Sequence, residues 1–163
     1  EDFKMEPMGL REYVNEAIEL VSRKQLELDG IVIENEIPED LRIFGEGTAI
    51  IQVFWNLINN AYHAIGRNGK VRITARMGES GGKVIAEVRD TGCGIPPEIM
   101  DKIFTPFFTT KPTNITPDSQ ERFTGTGLGL CYVKQYIESL GGAVHCESAV
   151  GKGTTFYLKF LRA

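Results

Sequence analysis

Four short segments, each built around glycine or asparagine, punctuate this chain in a fixed order. They are Asn56-Leu57-Ile58-Asn59-Asn60-Ala61, Asp90-Thr91-Gly92-Cys93-Gly94-Ile95, Gly125-Thr126-Gly127-Leu128-Gly129-Leu130 and Gly151-Lys152-Gly153-Thr154-Thr155-Phe156. Stretches with regular apolar periodicity lie between them, so any fold must join regular elements through these junctions. The 163 residues are enough for one compact domain with its own core. One such segment alone is a weak signal. Four on a chain of domain size point to a single pocket assembled from four places.

The periodicities supply the elements. Residues 1–8 read as a tail or linker, and the opening Glu1-Asp2-Phe3, without Met, suggests a piece of something longer. Leu10, Tyr13, Val14, Ala17, Ile18 and Val21 recur at helical spacing and predict a helix over about 9–26. Asp29-Gly30 turns the chain into a β-branched strand, Ile31-Val32-Ile33, which Pro38 ends. A short strand at Arg42-Ile43-Phe44 precedes a helix over about 48–66, with Ile50, Phe54, Leu57, Ile58, Ala61 and Ile65 inward. Asn68-Gly69 is a turn signal. Residues 71–76 alternate as a half-buried strand should, and 84–89 form a longer strand that runs into Asp90. Residues 96–103 predict a short helix, 111–124 a long loop, 127–140 a third helix stopped by Gly141-Gly142, and 143–148 with 154–161 a final antiparallel pair. The order implies an α+β two-layer sandwich, with a mixed, mostly antiparallel sheet and helices on one face, as one domain over 9–163.

Composition narrows the chemistry. Net charge is −4 with pI near 5.3, which argues against a nucleic-acid backbone as partner. Cys93, Cys131 and Cys146 are odd in number and lack metal-type spacing, so neither disulfides nor a zinc centre is expected. No apolar run approaches the length of about 18 residues that a membrane span needs.

Asn56 and Asn60 stand on one helical stripe. An amide oxygen from one of these Asn residues, with phosphate oxygens and water, can satisfy Mg²⁺, which wants oxygen ligands at about 2.0–2.1 Å. Asp90 ends a strand, where its carboxylate can accept a hydrogen bond from an exocyclic amine such as N6 of adenine. Gly92 and Gly94, followed by Ile95, let backbone pass close to a flat base. Gly125, Thr126, Gly127, Leu128, Gly129 and Leu130 open a helix whose free N–H groups suit phosphate. No Gly-Lys-Ser/Thr follows and no strand immediately precedes, so neither a P-loop nor a dinucleotide fingerprint fits. Lys111 and Arg122 flank the long loop, which reads as a lid, and could reach phosphates. His63, one turn beyond Asn60, could donate to a phosphate or simply lie on the helix surface. His145 and Cys93 read as structural, and the aromatic run Phe104–Phe108 as an anchor for the loop.

With these residues the chain resembles the catalytic, ATP-binding domain of sensor histidine kinases, within the superfamily that includes gyrase B, heat-shock chaperone and mismatch-repair ATPases. Asn56–Ala64 is similar to the N box, Asp90–Ile95 to G1, Phe104–Lys111 to the F box, Gly125–Leu130 to G2 and Gly151–Phe156 to the final glycine box. The resemblance implies ATP and Mg²⁺ as cofactors, Asn60 as metal ligand, Asp90 as adenine acceptor, Thr154 beside it, and Gly125–Leu130 as phosphate cradle. Hydrolysing relatives carry a Glu where this chain has Asn56, which cannot take a proton at neutral pH, so slow hydrolysis is expected. Neither His63 nor His145 fits a phosphoacceptor. The resemblance therefore implies a dimerising phosphotransfer domain elsewhere in the parent protein, joined through residues 1–8, and a response-regulator receiver domain downstream. This domain itself is expected to be cytoplasmic, monomeric in isolation and free of membrane or nucleic-acid contact. An anti-sigma-type serine kinase and an ATP-driven conformational switch share the pocket and are the competing readings.

Overall fold

The computed structural model describes residues 5–108 and 129–163. The elements run β1 (Glu6–Gly9), α1 (Leu10–Glu19), α2 (Arg23–Asp29), β2 (Ile31–Asn35), β3 (Arg42–Gly45), α3 (Gly47–Ile65), β4 (Gly69–Met77), β5 (Lys83–Asp90), a 3-10 turn (Pro97–Ile99), α4 (Gly129–Ser139), β6 (Ala143–Ala149) and β7 (Gly153–Leu161). Five strands form one sheet in the order β2-β4-β5-β7-β6. Only β2 and β4 are parallel; the other pairs are antiparallel.

Alternation decides which side of the sheet is covered. Val84, Ala86, Val88 and Asp90 of β5 are buried, as are Thr154, Phe156, Leu158 and Phe160 of β7. Arg89 and Lys159, one residue out of step, face solvent on the opposite side. Helix α3 lies over β4, β5 and β7, flanked by α1 and α4, which gives the two-layer α+β sandwich read from the sequence. Ile50, Val53, Phe54, Leu57 and Ile58 are fully buried along α3. At about 1.5–3 kcal/mol for each large apolar side chain removed from water, this stripe holds the helix rigidly against the sheet. Glu46 fixes its start, the carboxylate accepting from the backbone N–H of Thr48 (3.1 Å) and Ala49 (2.8 Å). Among the described residues no helix is long and apolar enough to cross a membrane.

Three expectations change. The single helix over 9–26 is two helices, because Ser22 turns to an extended conformation and caps α2, its hydroxyl accepting from Gln25 N–H at 3.3 Å. Val21 and Leu26 are both buried, so the apolar rhythm runs through the break and hides it. Within the segment read as a tail, Glu6–Gly9 pairs with β3 in a separate two-stranded ribbon, Met8 opposite Ile43. The predicted helix at 96–103 is only a 3-10 turn at Pro97–Ile99 followed by turns. The long loop at 111–124 lies outside the described residues.

Candidate nucleotide site

Helix α3 carries the first segment along the edge of the site. Asn56 is buried, and both ends of its amide are engaged. Its Oδ1 accepts from Gln52 Nε2 at 3.1 Å, and its Nδ2 donates to the carbonyl of Gly129 at 3.4 Å. Asn56 is thus a tie between α3 and the first residue of α4. Two turns later, the carbonyl of Ala64 accepts from Cys93 N–H at 3.0 Å. Half-buried Asn60 lies between these two fastenings, about 6 Å along the helix from each at 1.5 Å per residue. His63 is half-buried in the last turn, edge-on to Tyr62 with ring centroids 5.7 Å apart. Tyr62 in turn donates to the Asp29 carboxylate.

The segment after β5 is gripped from two sides. A Cβ at Gly92 would stand 2.7 Å from the backbone carbon of Ala64, and one at Gly94 would stand 2.2 Å from the carbonyl oxygen of Ala149. Gly94 and Gly153 also hold φ of +78° and +115°, which L side chains rarely adopt. Gly151 N–H closes the grip by donating to the Cys93 carbonyl at 2.8 Å. The chain's own backbone therefore excludes side chains at Gly92 and Gly94, a second reason for glycine beside the room a flat base would need. The helical segment, the strand-end segment and the last glycine segment meet at this junction.

Asp90, 6% exposed, projects into it. Its Oδ1 accepts from Gly92 N–H at 2.8 Å. Burial pushes the carboxyl above its ordinary value, and the backbone N–H groups of Gly92 and Thr154 pull it partly back. Thr154, opposite Asp90 on β7, is 5% exposed. Cys146 lies one row deeper beside Phe156; burial first, then the charges of Asp90 and Glu147, raise its thiol to about 12, so it stays protonated. A buried carboxylate at a strand end, beside a hydroxyl, can recognise a hydrogen-bond donor on a planar ligand. Among the described residues no group of three His, Cys, Asp or Glu could hold a metal. A magnesium ion here would need phosphate oxygens, to which the Asn60 amide could add one hard oxygen.

The structure thus brings Asn56, Asn60, His63, Asp90, Gly92, Gly94, Ile95, Gly129, Leu130 and Thr154 onto adjoining elements. Lys111, Arg122, Gly125, Thr126, Gly127 and Leu128 lie outside the described residues. Of the aromatic run, Phe104 meets Phe156 edge-on at 6.3 Å, and Lys134 Nζ lies 5.5 Å from the Phe104 ring centre; the loop it is expected to anchor lies outside the described residues. Phe107 is exposed, with φ of +65°. Gln52, Ala64 and Ser148 were not singled out from the sequence. Ser148 was within reach, since counting back from the turn at Val150–Lys152 sets it opposite Thr154.

Known proteins share this fold. The family model described as histidine kinase-, DNA gyrase B- and HSP90-like ATPase matches residues 45–163. Sensor histidine kinase ZraS of Salmonella typhimurium is 37% identical over 155 residues, which make up 93% of this chain and 30% of that protein. This chain therefore spans under a third of that relative's length. The nucleotide-free catalytic domain of histidine kinase ThkA superposes with a TM-score of 0.78 at 32% identity, over 98% of this chain and 96% of that one. ThkA in complex with the response regulator protein TrrA matches with a TM-score of 0.74 at 30% identity, over 99% of this chain and 42% of that one. The chain belongs to the family of histidine kinase-, DNA gyrase B- and HSP90-like ATPases, in its branch of sensor histidine kinase catalytic domains.

Proposed function

We propose that this chain binds ATP with Mg²⁺ and delivers the γ-phosphoryl group to a histidine on a separate helical domain of its parent protein, from which a response-regulator receiver domain then takes it. The observation that carries the reading is the buried Asp90 carboxylate at the end of β5, held by Gly92 N–H and bordered by Thr154. A buried acid without a cationic partner among the described residues is an expensive feature for a fold to keep, and a purine amine gives it a use. In this reading Asp90 accepts from the amine and orients the base. The start of α4 at Gly129 and Leu130, with Gly125–Leu128, Lys111 and Arg122, holds the phosphates, and His63 donates to one of them. Asn60 gives its amide oxygen to magnesium, which neutralises charge on the transferred group. Asn56 offers no base for water, so the chain holds the nucleotide until a better nucleophile is presented.

Calorimetric titration with Mg·ATP tests the first half. Binding is expected, and no uptake of heat or nucleotide would remove the reading. The second half is read in the parent protein with γ-labelled ATP. Acid-labile label should appear on a residue outside this chain, and label confined to serine would shift the assignment to the serine-kinase class.

A further inference from the structure

Three strands bring one side chain each to a common row at the end of the sheet. Asp90 of β5 stands opposite Thr154 of β7, and Thr154 stands opposite Ser148 of β6. Partners across antiparallel strands share a face, here the face the helices cover. Asp90 and Thr154 are buried and Ser148 is half-buried. Ser148 belongs to none of the four segments from which the pocket was read.

Its hydroxyl meets three partners. The Oγ lies 2.8 Å from the backbone nitrogen of Ile95, 3.0 Å from the carbonyl oxygen of Gly153 and 2.8 Å from Thr154 Oγ1. A serine hydroxyl has one proton and two lone pairs. The Ile95 N–H can only donate and the Gly153 carbonyl can only accept. With both the Gly153 and the Thr154 contacts made as hydrogen bonds, the one Ser148 proton goes to Gly153, and one lone pair receives Ile95. The remaining lone pair faces Thr154, whose hydroxyl must be the donor in that contact. Thr154 then has no proton to offer a ligand. Asp90 has none either when ionised, and its Oδ1 already receives Gly92 N–H. The row presents only lone pairs.

We propose that Ser148 is the positioning residue that sets base selectivity: by fixing the Thr154 hydroxyl as an acceptor and tethering Ile95, it makes the subsite take an amino-bearing purine edge and refuse a keto edge. The proposal rests on the ATP-binding reading above. An exocyclic amine, or a water that donates both protons, fits a row of lone pairs. A keto oxygen meets like dipoles and leaves buried acceptors unpaired, which costs more than a formed hydrogen bond returns. Without the Ser148 hydroxyl, Thr154 could rotate and donate, and the penalty on the keto edge would fall.

The test is titration of this chain with Mg·ATP and Mg·GTP at pH 8, for wild type, Ser148→Ala and Ser148→Thr. Wild type should favour ATP. Ser148→Ala should lose roughly tenfold in ATP affinity, as for one buried hydrogen bond, and its ATP-to-GTP ratio should drop by a similar factor. Ser148→Thr, which keeps the hydroxyl, should restore both. In a Thr154→Val background, Ser148→Ala should no longer change the ratio, because the two act through one contact. If Ser148→Ala does not fold, Ser148→Cys keeps a similar side chain with a weak hydrogen-bonding group and reads the same ratio. Equal loss for both nucleotides, with the ratio unchanged, would overturn the proposal and leave Ser148 a structural residue. Wild type that binds neither nucleotide removes the ATP reading and this proposal together, whereas wild-type binding with an unchanged ratio removes this proposal alone.

Discussion

Burying Asp90 weakens the fold over the pH range in which its carboxyl is charged. The folded chain holds that proton more tightly than the unfolded chain, so between the ordinary value of 3.8 and the raised one the folded state carries more protons. Stability therefore falls as pH rises through that window, and the deficit persists above it. Asp90→Asn removes the charge and keeps an oxygen to accept from Gly92 N–H. At pH 8 its melting temperature should equal or exceed that of the wild type, and the difference should close as the pH approaches 4. The same substitution turns an amide N–H₂ toward an incoming amine, and Mg·ATP affinity should fall at least tenfold, or about 1.4 kcal/mol. Thermal melts across pH, paired with calorimetry, check both. A less stable variant with unchanged affinity would mean that Asp90 serves the fold and not a ligand.

Among the elements, the junction between α3 and the strand ends sets the position of the site. The Gly92 backbone lies against Ala64, and the loop beyond it is tied to both Ala64 and Gly151. Gly92→Ala should destabilise the chain by about 1–3 kcal/mol through overpacking, as measured by urea unfolding. Ala64→Gly should rescue it only in part, because it removes the Ala64 Cβ at 2.7 Å and leaves the main-chain carbon and oxygen at 2.7 and 2.9 Å. Gly82→Ala is the control: nothing lies within 4 Å of its added carbon, and a change within about 0.5 kcal/mol is expected. The tie from Asn56 to Gly129 joins α3 to α4 in a similar way, by one side chain reaching a main-chain carbonyl. Elements are thus fastened to one another largely through backbone, which makes the relative placement of Asp90 and Asn60 insensitive to surface substitutions.

At the scale of the whole molecule, a two-layer body brings the buried Asp90 end of the sheet and the Asn60 helix together, the two parts to which the proposed reading gives the base and the magnesium. It has no group placed to activate water at Asn56. Purified chain with saturating Mg·ATP should hydrolyse it orders of magnitude below the ~10 s⁻¹ typical of enzymes. It should also take up no acid-labile label, since His63 lies within α3 against Tyr62 and His145 lies on the solvent side of β6. Rapid turnover, or label on either histidine, would contradict the roles assigned to Asn56 and to a separate acceptor domain.

Local pattern was enough for much of this protein. The apolar stripe of α3, the alternation of β4 and β5, the α+β order and the spacing of the glycine segments are short-range properties, each visible in a window of residues. Asp90 and Asn60 could be named as candidates for the same reason, since each sits at a recognisable place within one element. What local pattern could not carry was the break at Ser22, because buried Val21 and Leu26 continue the helical rhythm across it. Nor could it supply the β1–β3 ribbon, which depends on pairing across 33 to 39 residues of chain. The second reason for Gly92 and Gly94 comes from Ala64 and Ala149, and the hydroxyl polarity at Thr154 comes from Ser148 and Gly153. These depend on which atoms of distant segments arrive at one point in space, and that follows from packing the whole sheet against its helices.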